Sequence, residues 1–351
     1  MSTSTSKLTL SVGIPTLNQA EFLAQTLDSL LTQTRPPDEI LVSDHYSTDN
    51  TQEVLSGYRA RYTDRIRVVQ PPPGVNLTGQ YNFTLSSMTG DWLTLLSSDD
   101  IARPTFCETL LRGASSHPDA GNPPPVLVRS GWENIDAQGN FISQHYMLSV
   151  PKSQGPPDNL TGQKFGPKVN FAAFAIKREA FLQSGPILPS IESLADWVLF
   201  LQMAPFGSYV YEHALLSGYR VGHDGNKFVE RLPKWTRDQQ RVFNEVMPLA
   251  AERCGIKDLA WIAEASRYNY TRYLANASRE FPPNVEARIP VVALFQPWVD
   301  SLSTHPFDPA QVALRAFAEG KITQTSVPLA RRLKNKLRPM YQKFHSLLRR
   351  S

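Results

Sequence analysis

Cysteine is scarce: the 351-residue chain has two, Cys107 and Cys254, far apart and in unrelated contexts. Two such thiols make neither a disulfide framework nor a zinc site, and they fit a reducing compartment. Long apolar runs are missing too, with no window of about 18 uninterrupted apolar residues to span a bilayer. The start, from Met1 to Lys7, is polar and lacks the apolar centre of a secretory signal. Four chemical signatures are absent: the GxxxxGK[ST] phosphate loop, GxGxxG after the first strand, the GxSxG elbow and HExxH. Their absence argues against P-loop NTPases, NAD-dependent dehydrogenases, α/β-hydrolases and zincins. The end of the chain is basic and lacks acid. Residues 326–351 hold eight Lys and Arg and no Asp or Glu, while the whole chain carries +4. The body is therefore mildly acidic, which excludes a basic nucleic-acid face spread over it, and no nucleic-acid partner is expected.

What is present is globular: 41 % hydrophobic and 19 % charged residues, which rules out a coiled coil or a disordered chain. Residues 8–14 read as a strand ending at Pro15. Residues 20–34 place Phe22, Leu23, Leu27, Leu30 and Leu31 on one helical face before Pro36 and Pro37 stop the helix. Strand 39–43, helix 51–62, strand 66–70, helix 80–88 and strand 92–96 continue the rhythm. Such alternation predicts an α/β fold with a mainly parallel sheet and helices on both faces. Ligands of these sheets bind beyond the carboxyl ends of the strands, where Pro15-Thr16, Asp44 and Ser98-Asp99-Asp100 fall.

Four clusters carry chemistry. Asp44, with Ser47, Thr48 and Asp49, suits a nucleoside base; it equally suits a strand–helix turn with an N-cap. Ser97-Ser98-Asp99-Asp100 puts two adjacent acids at the mouth of an apolar strand. That arrangement calls for a cation or hydrogen bonds, unless it simply caps the next helix. Asp196 opens the apolar helix 196–204, where a carboxylate serves either as a general base or as a complement to the helix dipole. Arg220 and His223, in a loop with two glycines, suit phosphate or metal, or an ordinary surface turn.

In order along residues 8–228, these segments resemble the family 2 glycosyltransferases of the GT-A fold. The resemblance rests on Val12-Gly-Ile-Pro-Thr-Leu-Asn18, on the D-x-x-S-T-D turn from Asp44, and on Thr89-Gly-Asp-Trp followed by Leu93 to Asp100. It is carried further by Asn134-Ile-Asp-Ala-Gln-Gly139, by Phe174 to Pro186, and by Ala195-Asp196 where the family has an E-D pair.

The resemblance implies a nucleotide-diphospho-sugar transferase that inverts the anomeric centre. Pro15, Thr16, Asp44 and Ser98 would hold the donor nucleotide, a UDP- or dTDP-sugar being favoured. Asp99, Asp100 and His223 would hold Mg²⁺ or Mn²⁺. Asp196 would deprotonate the acceptor hydroxyl, with Arg220 and Trp197 near phosphate or acceptor. The acceptor would be a glycan or lipid-linked saccharide in bacterial surface-polysaccharide assembly. This chain departs from the family pattern at Ser97, Ser98, Ala195 and Leu17, and in the Arg220–His223 spacing. Ser97, Ser98 and Ala195 motivate a second reading, a catalytically silent nucleotide-sugar-binding scaffold at the membrane.

The expected organisation is a GT-A domain over 1–230, a helical region over 231–325 and a tail over 326–351. In the tail, Leu329, Leu333, Leu337, Met340, Phe344 and Leu347 recur at helical spacing among basic residues. This basic amphipathic pattern suits docking on an anionic membrane surface. The expected setting is the cytoplasm, peripherally at the inner face of the cell membrane.

Overall fold

The structure is a computed structural model that describes residues 7–116, 122–146, 150–166, 171–222, 228–280, 285–302 and 308–319. The chain divides into two compact units. The first is built mainly from residues up to 163 and 167–226, the second mainly from 227–248 and 257 onward.

Among the described residues the first unit holds a ten-stranded sheet: β1 (Leu10–Thr16), β2 (Glu39–Asp44), β3 (Ile66–Val69), β4 (Trp92–Leu95), β5 (Ile101–Ala102), β6 (Pro125–Ile135), β7 (Phe141–His145), β8 (Ser153–Gln154), β9 (Phe174–Lys177) and β10 (Ser208–Arg220). Its order is β3-β2-β1-β4-β9-β6-β10-β5, with β7 beside β6 and β8 beside β10. Strands β3, β2, β1 and β4 run parallel, as the alternation predicts. Beyond them the sheet is mixed, because β9 enters antiparallel between β4 and β6.

The helices of this unit are α1 (Ala20–Leu31), α2 (Thr51–Arg61), α3 (Leu77–Ser87), α4 (Phe106–Ala114), α5 (Asp158–Thr161), α6 (Arg178–Ser184) and α7 (Ala195–Met203). One apolar layer joins Leu23, Leu27 and Leu30 of α1 to Phe106 and Leu110 of α4, with Val12, Ile14 and Leu216 from the sheet. Gly13 brings α3 close to β1: a Cβ there would meet Thr84 Cγ2 at 2.6 Å. Helix α3 begins three residues earlier than its apolar pattern suggests, because the Asn76 side chain caps it by accepting from the Gly79 N–H at 2.9 Å.

The second unit is helical, with α8 (Phe228–Arg241), α9 (Met247–Arg253, shared with the first unit), α10 (Ala260–Glu280), α11 (Val285–Leu302) and α12 (Pro309–Ala318). Its core is aromatic. Trp298 stands edge-to-face on Tyr270 at 5.4 Å, and its indole N–H donates to Ser266 Oγ at 2.9 Å. The buried Trp298 is thus a packing residue. Asp308 caps α12 through the Ala310 N–H. No helix among the described residues is long and apolar enough to cross a membrane.

Candidate active site

Strands β1 and β2 end side by side, with Pro15 opposite Ser43 and Thr16 opposite Asp44. The buried Gln80 amide locks these ends together, donating to Ser43 O at 2.8 Å and Thr16 O at 3.2 Å. Asp44 is buried and accepts from Ser47 Oγ at 2.5 Å and from Gln52 Nε2. Beside it, Thr16 Oγ1 is buried with no hydrogen-bond partner among the described residues. A carboxylate and a spare hydroxyl at adjoining strand ends suit a polar ring edge.

The turn after β2 is held in an uncommon shape. Asn18 and Tyr46 both have positive φ, 52° and 58°. Asn18 supports it from the neighbouring loop: its Oδ1 accepts from the Thr48 N–H at 2.7 Å, and its own N–H donates to Ser47 Oγ at 2.9 Å. Asp49 then serves two helices at once. One oxygen accepts from the Ala20 N–H at the start of α1, the other from Thr51 N and Oγ1 at the start of α2. These bonds hold its carboxyl below the usual range despite some desolvation. Leu17, Tyr46 and Leu77 leave exposed apolar surface in the loops and helix start around this end of the sheet.

The two acids beyond β4 are unequal. Asp99 is half-buried, whereas Asp100 is 1 % exposed and accepts from the Arg220 N–H at 2.9 Å. Burial, and then the charge of Asp99, push Asp100 well above the usual carboxylate range; the Arg220 N–H and charge oppose this. Its Oδ2 is buried without a hydrogen-bond partner among the described residues. Ser98 is buried as well, its carbonyl accepting from Thr26 Oγ1 at 2.9 Å. Among the described residues no group of three or more His, Cys, Asp or Glu side chains gathers. Two carboxylates with an orphaned oxygen nevertheless fit a hard divalent cation of the kind that takes its remaining ligands from substrate phosphates and water.

Arg220 has a different task from phosphate binding. It is 2 % exposed, and its guanidinium donates to the carbonyls of Asp99 (2.7 Å), Asp136 (2.9 Å) and Ala137 (2.5 Å) and to Gln25 Oε1 (2.9 Å). It lies over the Phe22 ring at 4.6 Å. With these donors consumed, Arg220 fastens the acid loop to the turn after β6. Trp197 likewise leaves the surface: it is fully buried in α7 and offers nothing for an acceptor to touch. His223 lies outside the described residues.

Asp196 sits in the first turn of α7, with the Trp197 N–H donating to its Oδ1 at 2.7 Å. Burial pushes its carboxyl up to about 6, with main-chain hydrogen bonds opposing. A residue the motifs do not mark joins it here. The Tyr81 phenol on α3 is pushed up by its own burial and by the negative charges of Asp196 and Asp99, with Tyr219 and Asp100 also acting on it. Tyr81 stands edge-to-face on Phe171 at 4.9 Å. The general-base candidate and the acid pair, about 100 residues apart in sequence, therefore share one electrostatic neighbourhood. The helical periodicity around Tyr81 reads simply as a packed face, and no spacing signal singles it out.

Residues 11–170 match the family model for Glycosyl transferase family 2. The chain is 31 % identical over 111 residues to the putative glycosyltransferase EpsE of Bacillus subtilis, a stretch covering 32 % of this chain and 39 % of that protein. It is 24 % identical over 236 residues to the chondroitin synthase of Pasteurella multocida, covering 67 % of this chain and 23 % of that one. The chain thus spans well under half the length of these curated relatives. Among solved structures, S. aureus TarS in complex with UDP-GlcNAc is similar at a TM-score of 0.61 and 15 % identity, over 92 % of both chains. At that identity the likeness is one of fold.

Proposed function

We propose, from the match of residues 11–170 to the family model for Glycosyl transferase family 2, that this chain is an inverting glycosyltransferase that uses a nucleotide-diphosphate sugar. The observation that carries the reading is the buried carboxylate of Asp44 beside the Thr16 hydroxyl, partnerless among the described residues, at the adjoining ends of β2 and β1, with Asp196, pushed up to about 6 by burial, as the base. A general base works best when its pKa lies near the operating pH.

Asp44, Thr16 and Pro15 hold the base and ribose of the donor, and a UDP- or dTDP-sugar is favoured because a carboxylate at this position accepts the ring N–H of either pyrimidine. Asp99, with Asp100 behind it, would hold Mg²⁺ or Mn²⁺, which would supply countercharge for the leaving diphosphate. Asp196 takes the proton of the acceptor hydroxyl. The acceptor oxygen bonds to the anomeric carbon from the side opposite the diphosphate, whose bond to that carbon breaks with its electron pair. Inversion follows from that single in-line exchange.

The acceptor class we favour is a glycan or lipid-linked saccharide of a bacterial surface polysaccharide, supported by the name of the chondroitin synthase relative. In this reading residues 1–230 carry catalysis and 231–325 are an accessory helical region. The basic segment 326–351, outside the described residues, brings the enzyme to an anionic inner membrane face.

The test is thermal stabilisation by UDP, TDP, GDP and CMP with and without Mn²⁺, followed by nucleotide release from the matching sugar donors. A Mn²⁺-dependent shift for one nucleotide, with turnover lost in Asp196→Asn but binding kept, is expected. Binding without turnover in the native chain would instead establish the silent scaffold, and no binding at all would overturn both.

A further inference from the structure

Residues at the carboxyl ends of β6 and β10 alternate between two sides of the sheet. Arg220 lies over the Phe22 ring of α1, and Glu133 pairs with Arg103 at 2.5 Å just before α4. Their neighbours Trp132, Asn134 and Tyr219 therefore face the opposite side. The register aligns Tyr219 with Asn134 and then with Ser143 of β7; His145 of β7 lies opposite Trp132. These side chains form a row across three strands.

The row is built, and it is open. The Trp132 and His145 rings stack with centroids 4.8 Å apart and planes 9° from parallel. Asn134 sits at their edge, accepting from the Trp132 indole N–H at 3.2 Å, with its own amide 3.1 Å from Ser143 Oγ and 2.9 Å from His145 Nε2. His145 is exposed, Trp132 half-buried and Tyr219 39 % exposed. A pyranose would use what stays open here: its ring C–H groups stack on an aromatic face, and its hydroxyls meet the remaining lone pair of Asn134 Oδ1 and the Ser143 hydroxyl at the rim.

The row also leads to the chemistry. Tyr219 at its inner end acts on Tyr81, which in turn feels Asp196. From β10 to β7 is two strand spacings, about 10 Å. Arg220, the next residue after Tyr219, fastens the turn between β6 and β7 to the Asp99 carbonyl. The platform therefore keeps its position relative to the acid pair.

We propose that Trp132, Asn134 and His145 form an acceptor subsite that holds a sugar ring beyond the one being glycosylated, so that the acceptor is a saccharide chain of at least two residues. This rests on the glycosyl-transfer reading and specifies its acceptor.

The test is a printed array of neutral and acidic saccharides of one to four residues, probed with the fluorescently labelled full chain. Native chain and Asp196→Asn are expected to bind the same spots of two or more residues. Trp132→Ala and Asn134→Ala should weaken that binding about tenfold, the scale of a lost aromatic anchor, while Trp132→Phe retains most of it. UDP affinity measured on the same samples reports folding and donor binding separately. If Trp132→Ala keeps UDP affinity and still binds the same saccharides as strongly, or if the native chain binds no saccharide, the subsite is refuted while the donor reading stands. If the native chain fails to bind UDP or release it from any donor, the underlying reading fails. If Trp132→Ala instead converts a dimer to a monomer in sedimentation with no effect on saccharide binding, the face is a self-contact and the proposal falls.

Discussion

The Arg220 main-chain N–H donates to the Asp100 carboxylate at 2.9 Å, across 120 residues of sequence, and this divides the labour of two neighbouring acids. Asp100 holds β10 against the acid loop; Asp99 keeps a partly exposed carboxylate. Asp100→Ala should cost about 1–3 kcal/mol, because it leaves a buried N–H unpaired, and Asp100→Asn should recover most of that. Asp99→Ala should abolish any Mn²⁺-dependent stabilisation by UDP while lowering Tm less than Asp100→Ala does. Calorimetry of the three variants with and without Mn²⁺ checks the division.

Asp196 should set the acid limb of the rate profile. A base must be ionised to act, so kcat/KM is expected to rise through pH 6 and level above it. Asp196→Asn should lower turnover about 10²–10⁴-fold. The stability sign is opposite to the functional one. A carboxyl whose native pKa lies above its unfolded value contributes stability that is lost as pH rises through about 6. Asp196→Asn should therefore melt higher than the native chain at pH 8 and close to it at pH 4, as scanning calorimetry at both values would show.

Asp49→Ala removes the cap of two helices together, since its oxygens accept from Ala20 and Thr51. Each cap contributes about 0.5–2 kcal/mol, so the loss should exceed that of an ordinary single cap. Asp49→Asn can accept at one end only and should fall between. Its carboxyl is held below its usual range, so the stabilisation persists at neutral pH and is lost only as pH falls through that lowered value. Denaturant midpoints at pH 7 order the three chains.

Gln80→Leu should cost more than its size change implies. It leaves the carbonyls of Thr16 and Ser43 without their shared donor at the strand ends flanking Asp44. A loss of about 1–3 kcal/mol is expected, together with weaker nucleotide binding. Gln80→Glu should weaken binding at least as much, because an ionised carboxylate has no N–H to give. Isothermal titration with UDP separates the two effects.

A chain ending at Thr325 should fail to co-sediment with anionic vesicles that retain the full chain. Equal sedimentation of both would remove the membrane role from 326–351.

The first four strands were legible because each is a short apolar run closed by a turn signal, and their ends carry the polar residues that mark the site. The long strands were not. Residues 126–130 and 209–211 carry a short apolar strand pattern, yet β6 runs on to Ile135 and β10 to Arg220. Register shifts around Glu212, Leu215 and Ser217 break the alternation that marks a strand. The antiparallel entry of β9 is equally hidden, since four apolar residues carry no direction. Motif order pointed to Asp44, Asp99 and Asp196, but not to burial: Trp197 and Arg220 have the right residue types for a ligand site and are sealed by packing. Tyr81 required the fold, because its significance lies in acids that only tertiary structure brings near it.

The double capping by Asp49 has a consequence for how the donor is held. Helix starts just beyond parallel strands usually lend their positive ends to a phosphate. Here those of α1 and α2 are already spent on a carboxylate of the protein itself. The guanidinium of Arg220 is spent on carbonyls in the same way. On the proposed reading, these three fixed sources of positive potential are committed before substrate arrives, and the countercharge for the diphosphate has to be imported with it.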